Sequence, residues 1–141
     1  MIPLLRETVE RGGQAEMTVT GRSMLPLLKD RISSVRLSRP DALKKGDIVL
    51  FLRQDGHYVL HRIVATHGGL YDILGDNQRE ADRDVPEADI LAKVVAYNRS
   101  GRAWRKSDAL YRAFLPALRT ARAAARRLKR KIKRTIRNRS A

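Results

Sequence analysis

Cysteine is absent from the 141 residues, which removes disulfides, thiolate metal sites and a Cys nucleophile together. Aromatic residues are scarce, at 5%, while hydrophobic residues of all kinds reach 43%. Any core must therefore be aliphatic, and there is enough of it to exclude disorder throughout. No stretch approaches the roughly 20 apolar residues that a bilayer-spanning helix needs, and the apolar stretch near the N-terminus is broken by Arg6, Glu7, Glu10 and Arg11. Neither a signal peptide nor a transmembrane anchor is expected, which predicts a cytoplasmic chain or one peripheral at a membrane surface. Acids are nearly missing from one end: residues 102–141 hold Asp108 alone against 15 Lys and Arg, whereas residues 1–101 hold 14 acids against 15 bases. The formal charge of +15 thus belongs to a polycationic tail on an almost neutral body.

What is present reads as one compact unit with an appendage. Pro3 to Arg11 predicts a short helix, opened by Pro in its first turn and stopped by Gly12 and Gly13. The hydrophobic period then changes to two. Met17–Thr20, Ser33–Ser38, Asp47–Arg53, Tyr58–Ala65, Leu70–Leu74 and Ile90–Asn98 are short, rich in Val, Ile and Leu, and divided by turn residues, the pattern of an antiparallel sheet. Asp55-Gly56 marks a hairpin, because glycine accepts the positive φ of a tight turn. From Asp108 to about Ile136 the chain is dense in Ala, Leu, Arg and Lys, which predicts a helix that Pro116 is expected to kink. The expected fold is mainly β: residues 1–101 form a small antiparallel domain with a short N-terminal helix, and residues 102–141 a long basic helical tail.

The chemistry-bearing residues are few. Val19-Thr20-Gly21-Arg22-Ser23-Met24-Leu25-Pro26 ends a predicted strand in Gly, Ser and Pro, and so exposes a hydroxyl where pairing stops. A serine needs an adjacent base to become a nucleophile. Of the three histidines, His57 falls at the hairpin turn and His67 beside Gly68-Gly69, both in solvated positions, whereas alternation puts His61 mid-strand on one face with Val59 and Ile63. Taken singly, such a histidine is more often a core residue bonded to a carbonyl, and such a serine one turn hydroxyl among many.

Five segments in order add to that reading. Gly21-Arg22-Ser23-Met24-Leu25-Pro26, Lys45-Gly46-Asp47-Ile48-Val49-Leu50-Phe51, Val59-Leu60-His61-Arg62-Ile63-Val64, Gly75-Asp76-Asn77 and Ala92-Lys93-Val94 resemble the boxes of type I signal peptidases and the related self-cleaving repressors. The base-bearing segment, His followed by Arg, resembles the branch of endoplasmic-reticulum and archaeal signal peptidases rather than the branch with a Lys base. The resemblance spans about Met17 to Tyr97 and none of the tail.

It implies a small signal-peptidase-like β domain and a serine endopeptidase that cleaves a leader, signal or propeptide through an acyl-enzyme. Ser23 would be the nucleophile, His61 the general base, and Asp82, in an Asp-Arg pair six residues past Asp76, the carboxylate that orients the imidazole. Asp76 and Asp84 stand as substitutes for Asp82, although Asp76 is expected to shape its turn by bonding its own backbone. The oxyanion donors would be the Ser23 N–H with the chain around Gly21, while Met24 and Pro26 shape the bend and line the site. No metal or organic cofactor is needed. Signal peptidases usually carry a hydrophobic anchor just ahead of the nucleophile box, where the charged helix Pro3 to Arg11 is expected here. The alternative is an inactive peptidase-like scaffold whose tail binds nucleic acid or anionic membrane. The tail's apolar stripe, Tyr111, Phe114, Leu118, Ala121, Ala125, Leu128 and Ile132, favours the membrane surface over nucleic acid.

Overall fold

The computed structural model describes residues 1–101 and 103–140. The chain divides into two compact units, Met1–Ser107 and Asp108–Ala141. The junction expected between residues 101 and 102 falls on Arg102, outside the described residues.

In the first unit, helix α1 covers Ile2–Glu10. Leu5 and Val9, one helical turn apart, are its buried residues, and Gly12, with φ +85°, closes its end. Seven strands follow: β1 Ala15–Thr18, β2 Ser34–Ser38, β3 Ile48–Leu52, β4 Tyr58–His67, β5 Leu70–Leu74, β6 Asp82–Pro86 and β7 Ile90–Asn98. They form one antiparallel sheet in the order β1-β2-β7-β3-β4-β5-β6. The mainly β architecture read from the sequence is the one observed.

Central position explains composition. Strand β3, Ile-Val-Leu-Phe-Leu, is buried along nearly its whole length, lying between β4 and β7. One face of the sheet carries the apolar cluster Val49, Phe51, Ile63, Ile73, Val85 and Ile90. The register places His61 opposite Val49 and Leu60 opposite Leu50, so alternation along β4 sends His61 to the cluster's face and Arg62 to the other.

Strand β6, Asp82-Arg83-Asp84-Val85-Pro86, carries no alternation that predicts a strand. It is an edge strand on β5 with only Val85 buried. At an edge, Pro and charge are tolerated because one row of backbone groups faces solvent. In the second unit, α2 runs from Ala109 to Ser140, with Pro116 inside it.

Candidate active site

The loop carrying Ser23 leaves β1 while still tied to the sheet, the Val19 N–H donating to Ser33 O at 2.8 Å. Gly21 then adopts φ +86°, a conformation that a side chain resists, and its N–H donates to Asp30 Oδ1 at 2.7 Å. The loop passes a cis Leu25–Pro26 peptide. Met24, Leu27 and Leu28 anchor it in the interior. At the end of β7, Arg99 donates to the carbonyls of Pro26 and Leu27, both at 3.0 Å.

Gly75-Asp76-Asn77 grips the same loop. The Asn77 N–H donates to Ser23 O at 2.8 Å, Asn77 Nδ2 to Arg22 O at 3.1 Å, and the Asp76 N–H to Met24 Sδ at 3.5 Å. A Cβ on Gly75 would meet Ser23 O at 2.8 Å, so the approach of the two backbones requires glycine there.

Asp76 carries an ion pair that its place in a turn does not announce. Its two carboxylate oxygens accept from Arg62 Nε at 2.9 Å and Nη2 at 3.0 Å, and Arg62 Nη1 donates to Gly46 O at 2.8 Å. The reason is burial: Arg62 projects from a strand covered on both faces, and a charge withdrawn from water persists only when paired and hydrogen-bonded. The segments of Gly46 and Asp76 thus close on β4 at the residue after His61, and the Ser23 segment joins them through Asp76 and Asn77.

His61 itself is 2% exposed. Its ring lies 6.1 Å from that of Phe51, tilted by 57°, and its Nδ1 has no hydrogen-bond partner among the described residues. Burial pushes its pKa below the ordinary 6.5, the field of Asp82 opposes that shift, Arg53 reinforces it and Asp76 opposes it. The imidazole is held neutral, the form a general base requires.

Asp82 lies on β6 opposite Ile73, which sits in the same cluster as Ile63 beside His61. Its Oδ1 is 3.4 Å from Arg53 Nε. Asp84 turns elsewhere, with its Oδ1 3.4 Å from His67 Nε2, and Asp72 Oδ1 is 3.1 Å from the same nitrogen. Hydrogen bonding to Asp72 raises the His67 pKa. Among the described residues, His67, Asp72 and Asp84 are the one group whose ligand atoms lie close enough to share a metal ion, within 4.8 Å of one another.

Ser23 lines a cavity of about 300 Å³ with Met24, Val59, Leu60, Arg53 and His57. Gly21, Pro26 and His61 do not line it, and no hydrogen bond joins Ser23 to His61 among the described residues. The Ser23 N–H likewise donates to no described group. At the cavity rim, Asp55 Oδ1 accepts the His57 N–H at 3.0 Å and lies 3.3 Å from His57 Nδ1. The His57 N–H is the main cause holding the Asp55 carboxyl below its usual range.

Two residues escaped the sequence reading. Arg53 lines both Ser23's cavity and a second one walled by Asp82, and Asp30 caps Gly21 from nine residues away. Neither belongs to a local pattern that could have announced it.

Comparison with curated proteins gives no significant match. A family model described as Peptidase S24-like matches residues 1–95, in agreement with the clan that the five segments resemble, and supports a serine-type peptidase at family level. With two thirds of its length matched, and with the Ser23 loop and strand β4 inside that span, this chain belongs to the Peptidase S24-like family.

Proposed function

We propose that the protein is a serine endopeptidase that removes a leader, signal or propeptide. Ser23 Oγ attacks the scissile carbonyl carbon while His61 takes its proton, and Asp82 stabilises the imidazolium that forms. The negative oxygen is received by the Ser23 N–H. His61 then hands the proton to the leaving amine, and water, deprotonated by His61, hydrolyses the acyl-enzyme.

The observation that carries this reading is the link between Ser23 and β4. The loop bearing Ser23 is clamped by Asp76 and Asn77, Asp76 is locked to Arg62, and Arg62 is the neighbour of a buried, neutral His61. Strand β4 turns Leu60 and Arg62 toward Ser23's side and His61 toward the apolar cluster, so the mechanism requires a rearrangement that brings the two groups together when substrate binds. The substrate would be an extended peptide: β1 is one of the two edge strands of the sheet, and its continuation, Val19 and Thr20, lines the cavity with Ser23. Strand addition along such an edge is a common mode of peptide recognition.

A second reading has its own observation. His57 lines Ser23's cavity and is held by Asp55, an arrangement that would make His57 the base. Peptide cleavage by Ser23→Ala, His61→Ala and His57→Ala variants decides the matter. Losses of about 10³-fold or more in the first two alone support the His61 mechanism. The same loss in His57→Ala, with His61→Ala active, transfers the role to His57. An acylating serine probe that leaves Ser23 unlabelled in the wild-type protein establishes instead the inactive scaffold, with function residing in the tail.

A further inference from the structure

The surface of α2 divides cleanly by chemistry. Between Ala109 and Ser140 there are 12 Lys and Arg and no Asp or Glu. Leu110, Phe114, Leu128, Ile132 and Ile136 are all exposed, Leu110 at 76% and Phe114 at 63%. At 100° per residue these five positions fall within an arc of ~80° on the helix surface. A solvated helix gains nothing from such a row. A helix that lies on an apolar boundary beside anions uses both its halves.

We propose that α2 is a membrane-surface helix, lying in the plane of an anionic bilayer with the Leu110-to-Ile136 row sunk among the acyl chains and the cations at the headgroups. Its 32 residues would extend ~48 Å along the surface. No helix of the described residues is long and apolar enough to cross a membrane, so the mode is lateral rather than spanning. Charge argues against a second copy of α2 as occupant. The residues flanking the row, among them Arg122, Lys129 and Lys131, are cationic, and in a helix pair they would face one another with no acid on either side. A nucleic acid would satisfy the cations but leave the aliphatic row in water. Phe114 and Tyr111, the only aromatics in α2, offer little base stacking.

The test is sedimentation of the full chain with vesicles of phosphatidylcholine alone and with an equimolar mixture of phosphatidylcholine and phosphatidylglycerol. The mixture should bind at least about tenfold more tightly, and added salt should weaken binding. The double variant Phe114→Ser, Ile132→Ser keeps every charge and should lower affinity for the mixture about tenfold or more, because both side chains lose their apolar burial in lipid. Its helicity, measured by circular dichroism in parallel, excludes simple unfolding. Unchanged vesicle affinity in that double variant would overturn the proposal, since charge alone would then suffice. Tight binding to a DNA or RNA duplex without vesicle binding would overturn it in favour of nucleic acid. Concentration-dependent dimerisation without vesicle binding would overturn it in favour of self-association. Cleavage activity enters none of these measurements, so failure here is separate from failure of the peptidase reading.

Discussion

Arg62 and Asp76 form a two-bonded ion pair from which solvent is almost excluded, their side chains 3% and 0% exposed. Through it the strand that carries His61 and the loop that carries Ser23 share one rigid joint, because the backbone on either side of Asp76 also holds Ser23 and Met24.

Asp76→Ala should therefore do two kinds of damage. Leaving the Arg62 charge buried without its carboxylate costs about 3–5 kcal/mol, which urea unfolding reads directly. Under conditions where the variant is still folded, cleavage should fall as well, since the Ser23 loop loses its anchor. A variant with wild-type stability would show that the pair contributes nothing net.

Gly75→Ala separates geometry from stability. The added methyl would enter the space occupied by Ser23 O, and relief by backbone movement costs about 1–3 kcal/mol. Because the displaced atom belongs to Ser23, the proposed nucleophile, kcat should fall by at least about tenfold while KM changes less. A drop in stability with kcat intact would show that the loop yields without moving the hydroxyl.

The pH profile follows from the His61 environment. Burial depresses its pKa below 6.5, and a general base works only when deprotonated. The acid limb of kcat/KM should thus have its midpoint below that of a free imidazole. Asp82 acts in the opposite sense on this group, so Asp82→Asn should move the acid limb to still lower pH while reducing kcat about 10³-fold through loss of imidazolium stabilisation. An acid limb that does not move on this substitution removes Asp82 from the site.

His67 supplies the reverse sign. Its pKa is raised by Asp72, so its contribution to stability is fully present below the unfolded value of about 6.5 and is lost as pH rises through the folded value. The stability difference between wild type and His67→Ala should be largest near pH 5.5 and shrink toward about pH 8. Thermal melts across that range would show it, and a difference that grows with pH would contradict the pairing.

The legible parts of this molecule were those fixed by local sequence. Alternation in Tyr58–Ala65 placed His61 and Arg62 on opposite faces, as the register with β3 shows, and Asp55-Gly56 marked its hairpin, where Gly56 has φ +87°. Strand β6 was hidden because Asp82-Arg83-Asp84-Val85-Pro86 offers a single apolar residue to an alternation count. Its pairing comes from β5, not from its own pattern. The role of Asp76 was hidden for a different reason. A carboxylate beside Gly75 reads as a turn former until a guanidinium 14 residues away is found to point at it, and no spacing rule carries that information. Arg53 is a similar case, defined by an ion pair with Asp82 that only the folded sheet creates.

Placing an imidazole and a guanidinium at consecutive positions of one doubly covered strand makes the β3–β4 connection a device that sets chemical identity as well as direction. Deleting one residue from the Arg53–His57 reversal would slide β4 by a single step and exchange its two sides. Arg62 would then take the place of His61 in the apolar cluster, Ile63 would face Asp76 in place of the guanidinium, and His61 would leave its apolar pocket for the place of Leu60. Length in that short reversal is therefore constrained by acid–base chemistry several residues downstream, and size variation among relatives of this domain should concentrate in other loops.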